Sequence, residues 1–175
     1  MLTRDPDPLD TCAGHGTHVA GIIAATALNN THASQPFVGV APALCIRAYR
    51  VFGCIGTVSS DIIIAAMVQA FSDGVNIISM SLGETDGWSE TAQDVVAARI
   101  AERGVFVSVA AGNDGEMGMF DASSPASGTG VTAVASVDNI ANVAYTARTN
   151  LNQTLVSHSF PILLTMRIFE GWCSW

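Results

Sequence analysis

Positive charge is scarce in this sequence. Seven Lys and Arg stand against fifteen Asp and Glu, a formal net charge of −8 over 175 residues. The basic residues do not cluster, and phosphate contacts need clustered Lys and Arg, so nucleic acid is excluded as a partner. Cysteine is also sparse. The four present (Cys12, Cys45, Cys54, Cys173) are scattered and form no CxxC pair, which argues against a disulfide scaffold. Cys45 lies in an apolar run and reads as a small buried hydrophobe. Cys12 precedes His15 by three residues, leaving open a disulfide or a free thiol there. No hydrophobic run reaches membrane-spanning length. The stretch from Phe160 to Phe169 is short and broken by Pro161, Thr165 and Arg167, so no membrane partner is expected. The first residues, Met1-Leu2-Thr3-Arg4-Asp5-Pro6, lack the apolar core of a signal peptide. No GxGxxG joins a strand to a helix and no P-loop lysine is present, which weakens a nucleotide-binding reading of Gly14-His15-Gly16 or Gly128-Thr129-Gly130.

What is abundant is apolar. Hydrophobic residues make up 49% of the chain and charged residues only 13%. A chain of this length can bury a real core as one domain, and the balance suits a parallel sheet wrapped by helices. The acidic excess favours solubility rather than a particular partner. Asn29-Asn30-Thr31 and Asn152-Gln153-Thr154 match the N-glycosylation pattern, which points to a secreted parent protein.

The run Gly14-His15-Gly16-Thr17-His18-Val19-Ala20-Gly21 places an imidazole between two glycines at the start of an apolar stretch. Glycine permits a sharp turn and close approach of another molecule. Val19 to Leu28 is nearly all small or apolar, which predicts a helix buried on most sides. A His in the first turn of such a helix is well placed as a general base, held by a rigid support. His15 and His18 lack the spacing and the glutamate of a zinc motif, so no metal site is expected there.

Further along, Leu44 to Val51 reads as a strand with imperfect alternation. Ser59 or Ser60 can cap a helix from Asp61 to Phe71, which Asp73-Gly74 closes. Val75 to Met80 is a short strand, Ser89 to Arg103 a helix stopped at Gly104, Val105 to Ala110 a buried strand and Val131 to Val137 another. Alternating strands and helices with short connections predict a parallel sheet with right-handed crossovers. Working residues then collect at the carboxyl ends of strands, which selects Ser79 to Gly83 and Ala110 to Gly115. In the second segment small residues leave room for a substrate, and Asn113 can donate to a developing oxyanion. As a plain turn, Asn113-Asp114-Gly115 would need no function.

The motif His15 to Gly21 resembles, without a mismatch, the His-Gly-Thr-His-Val-Ala-Gly motif of the subtilisin-like serine proteases (subtilases, peptidase S8). Ala110-Ala111-Gly112-Asn113 resembles that family's Ala-Ala-Gly-Asn segment, and Ser79-Met80-Ser81-Leu82-Gly83 its segment before the substrate cleft. Gly39-Val40-Ala41-Pro42 and Asp73-Gly74-Val75 follow in the family's order, and the likeness covers about residues 10 to 138. It implies an α/β, three-layer subtilisin-like fold with a mainly parallel sheet flanked by helices, incomplete at both ends. It also implies serine endopeptidase activity on peptide or protein substrates. His15 would be the catalytic base and His18 structural. Asn113 would complete the oxyanion hole; removing such a donor in subtilisin costs about 10²–10³ in turnover. The backbone of Ser81, Leu82 and Gly83 would pair with an extended peptide, and Ala110, Ala111 and Gly112 would wall the facing pocket. Met80 and Leu82 read as core side chains. No cofactor is identifiable, though the resemblance admits calcium.

Two expected parts do not occur. The subtilisin order is Asp, His, Ser, with about 30 residues between the first two and about 155 between the last two. Asp5, Asp7 and Asp10 lie too close to His15 and lack an Asp-Ser/Thr-Gly setting. Gly-Thr-Ser-Met-Ala is absent, and Gly128-Thr129-Gly130 carries glycine where the nucleophile belongs. Ser174 has none of the required context. Residues 1–140 therefore read as a partial peptidase domain and residues 141–175 as a divergent tail. Without the serine no acyl-enzyme forms, so the chain alone is expected to be inactive. A non-catalytic relative binding extended peptides is the alternative.

Overall fold

The computed structural model describes residues 11–26, 37–138, 140, 145–148 and 153–157. The chain divides into two compact units. Elements from α1 to β5 belong to one, and Ser136–Arg167 form the other. The second unit holds one antiparallel hairpin, β6 (Tyr145–Arg148) and β7 (Thr154–Ser157), with Tyr145 opposite Ser157.

The first unit is built on a three-stranded parallel sheet. β1 (Ile77–Met80) pairs with β3 (Phe106–Ala110), and β3 with β5 (Thr132–Val134), in the order β1-β3-β5. The strand period of two sends Ile78, Met80, Val107 and Val109 to one face, where they are buried. Helices α2 (Ser60–Ser72) and α3 (Ala92–Glu102) cover that face. In α2 the buried positions are Ile63, Ala66, Met67 and Ala70, and in α3 Gln93, Asp94, Ala97 and Ile100. Both sets follow the three-and-four spacing of a helix stripe laid on a core. On the opposite face Ile77, Phe106 and Val134 each remain about half exposed. This is an α/β architecture with a parallel sheet, as expected.

The helix boundaries follow from end chemistry. Ser59 caps α2 in an extended conformation, but its hydroxyl donates to the Asp61 carboxylate instead of accepting from the backbone. That bond holds the Asp61 carboxyl below its ordinary range. Gly74 takes φ +72 just after the C-cap, the left-handed position that glycine fills at low cost. α3 starts at Ala92, later than Ser89, because Thr91 is the residue whose side chain accepts from the Asp94 N–H. At the far ends of α2 and α3, the Arg103 guanidinium sits 6.0 Å from the Phe71 ring centre.

Three expectations are corrected. Leu44 to Val51 forms no strand. Its side chains are engaged elsewhere: Arg47 donates to the Asp73 carbonyl at 2.8 Å, Tyr49 donates to the Asp73 carboxylate at 2.6 Å, and Tyr49 and Val51 pack on the core. Burial and then the Asp73 carboxylate push the Tyr49 phenol up to about 12, partly opposed by Arg47. The helix carrying His15, α1 (His15–Ala24), is not buried on most sides; only Gly21 and Ala24 are buried, and Ile22 is 47% exposed. Apolar composition marked the helix but could not say which faces are covered. Cys45 is exposed and disulfide-bonded rather than a buried hydrophobe.

Candidate active site

α1 begins directly on the histidine. Gly14, at φ 73, occupies the left-handed conformation at its N-cap and turns the chain into the helix. His15 and His18 both project from the first turn and are exposed. The helix is short for independent stability, and its support comes from backbone and covalent contacts. The N–H groups of Gly39, Val40 and Ala41 donate to the carbonyls of Ala25, Ile22 and Ile23 at 2.8, 3.1 and 2.8 Å. These bonds satisfy the carbonyls that every helix end leaves open. Gly39 is required for the approach, since a Cβ there would meet the Ala24 nitrogen at 2.5 Å. The Gly39-Val40-Ala41-Pro42 motif thus serves as the C-terminal cap of the histidine helix. At the other end a Cys12–Cys54 disulfide, Cα–Cα 5.0 Å, ties the entry of α1 to the loop after Arg50.

The second part of the site lies at the carboxyl ends of β1 and β3. Parallel pairing sets Met80 beside Val109, so the residues that follow each strand emerge side by side. They line a cleft of about 160 Å³, walled by Ser81, Leu82 and Gly83 on one side and Ala110, Gly112 and Asn113 on the other, with Thr85, Asp114 and Ser123 completing it. Asn113 is exposed on the loop leaving β3, and Asp114 then caps a short 3-10 turn, Gly115–Met117. Met80 is core, as expected, whereas Leu82 packs against the core and lines the cleft as well. Among the described residues, Ser81, Leu82 and Gly83 make no backbone–backbone hydrogen bond. Their N–H and C=O groups therefore stand open at the cleft edge, the condition for adding an extended strand.

Of the expected site residues, Ser81, Leu82, Gly83, Ala110, Gly112 and Asn113 come together. Ala111 is not part of the lining; its N–H donates to Val134 and its carbonyl accepts from Ser123, so it braces the wall. His15 is not among the lining residues either. Asp5, Asp7, Asp10 and Ser174 lie outside the described residues.

Two lining residues, Thr85 and Ser123, were not singled out from sequence. Thr85 donates to the Asp114 carboxylate across the cleft rim. Ser123 is 4% exposed and reaches the cleft from far downstream, because β4 (Ser123–Ser124) pairs antiparallel with β2 (Glu84–Thr85). Its side chain fills the space under two glycines, since a Cβ on Gly83 would lie 1.9 Å from its Oγ and one on Gly112 3.1 Å from its Cβ. The Ser-Ser-Pro-Ala-Ser run has no periodicity that marks a strand, and only the β2–β4 pairing gives it a place. No group of three or more His, Cys, Asp or Glu side chains among the described residues is placed to hold a metal ion. No helix among them is long and apolar enough to cross a membrane.

The sequence pattern of the Subtilase family (Peptidase S8) matches residues 3–162. Over 118 residues the chain is 36% identical to subtilisin of Bacillus pumilus, covering 67% of this chain and 40% of that protein. Over 125 residues it is 40% identical to a thermostable alkaline protease of Halalkalibacterium halodurans, covering 71% of this chain and 32% of that protein. The solved structure of the prenylagaramide maturation protease PagA aligns with a TM-score of 0.48 and 28% identity, over 68% of this chain and 41% of that one. The chain spans less than half the length of these relatives. With its histidine and asparagine motifs inside a family match that runs over most of its residues, the chain belongs to the subtilases, a family of serine proteases.

Proposed function

We propose that this chain is the central part of a subtilisin-type serine endopeptidase, acting on peptide or protein substrates outside the cell. The observation that carries this reading is the cleft between the ends of β1 and β3. It joins open main-chain groups at Ser81–Gly83 to an exposed amide side chain at Asn113. An extended substrate would add a strand along Ser81–Gly83, with one side chain entering the space bounded by Ala110, Gly112 and Ser123. Attack of a serine hydroxyl on the peptide carbonyl needs a base for the proton and donors for the oxyanion. His15 would accept that proton and return it to the leaving amine, and Asn113 would donate to the oxyanion. The nucleophile is a serine outside these 175 residues, which contain no Gly-Thr-Ser. The chain alone therefore binds peptide without forming an acyl-enzyme. Extracellular action is supported by the Cys12–Cys54 disulfide, a bond that persists in oxidising surroundings, and by the two N-glycosylation triplets.

The test uses the chain with its flanking coding sequence restored on both sides. His15→Ala should abolish peptidase activity, Asn113→Ala should lower turnover about 10²–10³-fold, and His18→Ala should act on stability. The opposite pattern for the two histidines overturns the assignment. If the flanks supply neither Asp-Thr/Ser-Gly nor Gly-Thr-Ser, the product is a peptide-binding module without catalysis. A fluorophosphonate probe should leave the 175-residue chain unlabelled.

A further inference from the structure

Asp94 has no place in the motifs above, and its setting is unusual. It is 0% exposed in the first turn of α3, and charged side chains are almost never fully buried without a partner. No cation answers this one among the described residues. Three hydroxyls do: Thr91 and Ser124 reach Oδ2, Ser124 at 2.5 Å, and Ser127 donates to Oδ1 at 2.9 Å. Thr91 and Ser124 also touch each other, Oγ to Oγ, at 2.9 Å. Two of the three hydroxyls belong to one segment, Ser124–Ser127, and that segment lies hard on the helix. A Cβ on Gly128 would fall 2.8 Å from the Asp94 carbonyl oxygen.

The residue just before the clamped segment is Ser123, the side chain that fills the space beneath Gly83 and Gly112. Its position is fixed by its N–H to Ala111, by the β2–β4 pairing, and by its covalent link to Ser124. We propose that Asp94 is a positioning residue which, by clamping Ser124 and Ser127 to α3, holds Ser123 as the floor of the substrate cleft and so sets which side chain the cleft accepts. The inference rests on the peptide-binding reading of that cleft. Asp94 touches no substrate itself. Its role is to replace loop freedom with a fixed depth, because burying the carboxylate is tolerable only while all three donors stay in place. A floor that cannot retreat penalises a large side chain more than a small one.

The experiment titrates the 175-residue chain with two acetylated tetrapeptide amides, tetra-alanine and tri-alanine-phenylalanine. Amide NMR signals of Ser81–Gly83 report each Kd. The native chain should discriminate between the two. Asp94→Ala should change the ratio of the two Kd values by about tenfold, the scale of a lost charge-assisted clamp. Asp94→Asn keeps the shape and one acceptor oxygen and offers N–H donors to hydroxyls that can reverse, so it should stay within about threefold of the native ratio. Ala97→Gly, which weakens the same helix away from the clamp, should lower stability and leave the ratio unchanged. If Asp94→Ala does not fold, Ser124→Ala carries the same test with a smaller shift in the ratio. A native ratio in a folded Asp94→Ala chain, or in Ser124→Ala, overturns the proposal, as does an equal shift in Ala97→Gly. Failure of the native chain to bind either peptide removes the cleft reading and this role together; intact binding with an unmoved ratio removes only the role of Asp94.

Discussion

The two halves of the candidate site are supported in different ways. The residues after β1 and β3 stand on a core: Ile78, Met80, Val107 and Val109 are each no more than 8% exposed, with Met67, Ala97 and Ile100 above them. The histidine helix has only Gly21 and Ala24 buried, and is held by three backbone bonds to Gly39–Ala41 and a disulfide at its entry. Burial of apolar area supports the first half, and satisfied helix-end carbonyls support the second. The difference teaches that a cleft wall inherits its precision from the sheet, whereas His15 depends on a backbone seam that is local and separable.

The largest expected effect tests the core side. Met67 is 2% exposed, and Met67→Ala should cost about 2–5 kcal/mol of unfolding free energy, read as a lower urea midpoint. A shift under about 1 kcal/mol would mean the strand ends do not lean on α2. The seam is broken more selectively by Gly39→Ala, whose new Cβ meets backbone rather than a yielding side chain. The expected cost is about 1–3 kcal/mol, with faster hydrogen exchange at the Val40 and Ala41 amides than at β3. Uniform acceleration across both regions would erase the distinction between them.

The smallest effect concerns Tyr49, which links the segment after the seam to the end of α2. Its phenol titrates at about 12 when folded and at 10.0 as a free side chain. A raised folded value means that the neutral form is the one folding favours. Its contribution is therefore full below about 10 and is lost as pH rises toward 12. Tyr49→Phe should flatten that alkaline loss of stability while leaving the neutral-pH urea midpoint changed by less than about 1.5 kcal/mol. An alkaline limb identical in both proteins would place the responsible group elsewhere.

Much of the fold was legible in the chain because it is written in local periodicity. The stripes of α2 and α3, the runs Ile77–Met80 and Phe106–Ala110, and the stop at Gly74 each follow from residue spacing and backbone preference. The strand expected at Leu44–Val51 failed on the same ground: alternation is a local signal, but a strand needs a neighbour, and Arg47 and Tyr49 are committed to Asp73 instead. Apolar content likewise foretold a helix after His15 and misjudged its burial, since burial is a property of what packs on it.

By itself the sequence determined the chemistry on offer: an imidazole between glycines, an amide after a buried strand, and small residues that leave room beside it. Only the tertiary structure decided how these are arranged. Parallel register brought Ser81–Gly83 beside Ala110–Asn113, and the β2–β4 pairing carried Ser123 beneath them with Asp94 as its anchor. Gly39–Ala41 became the cap of α1 only through the close approach of two backbones. The physical reason is common to all three. Contacts between residues far apart in sequence are chosen by closure of the whole core, and no local propensity encodes them.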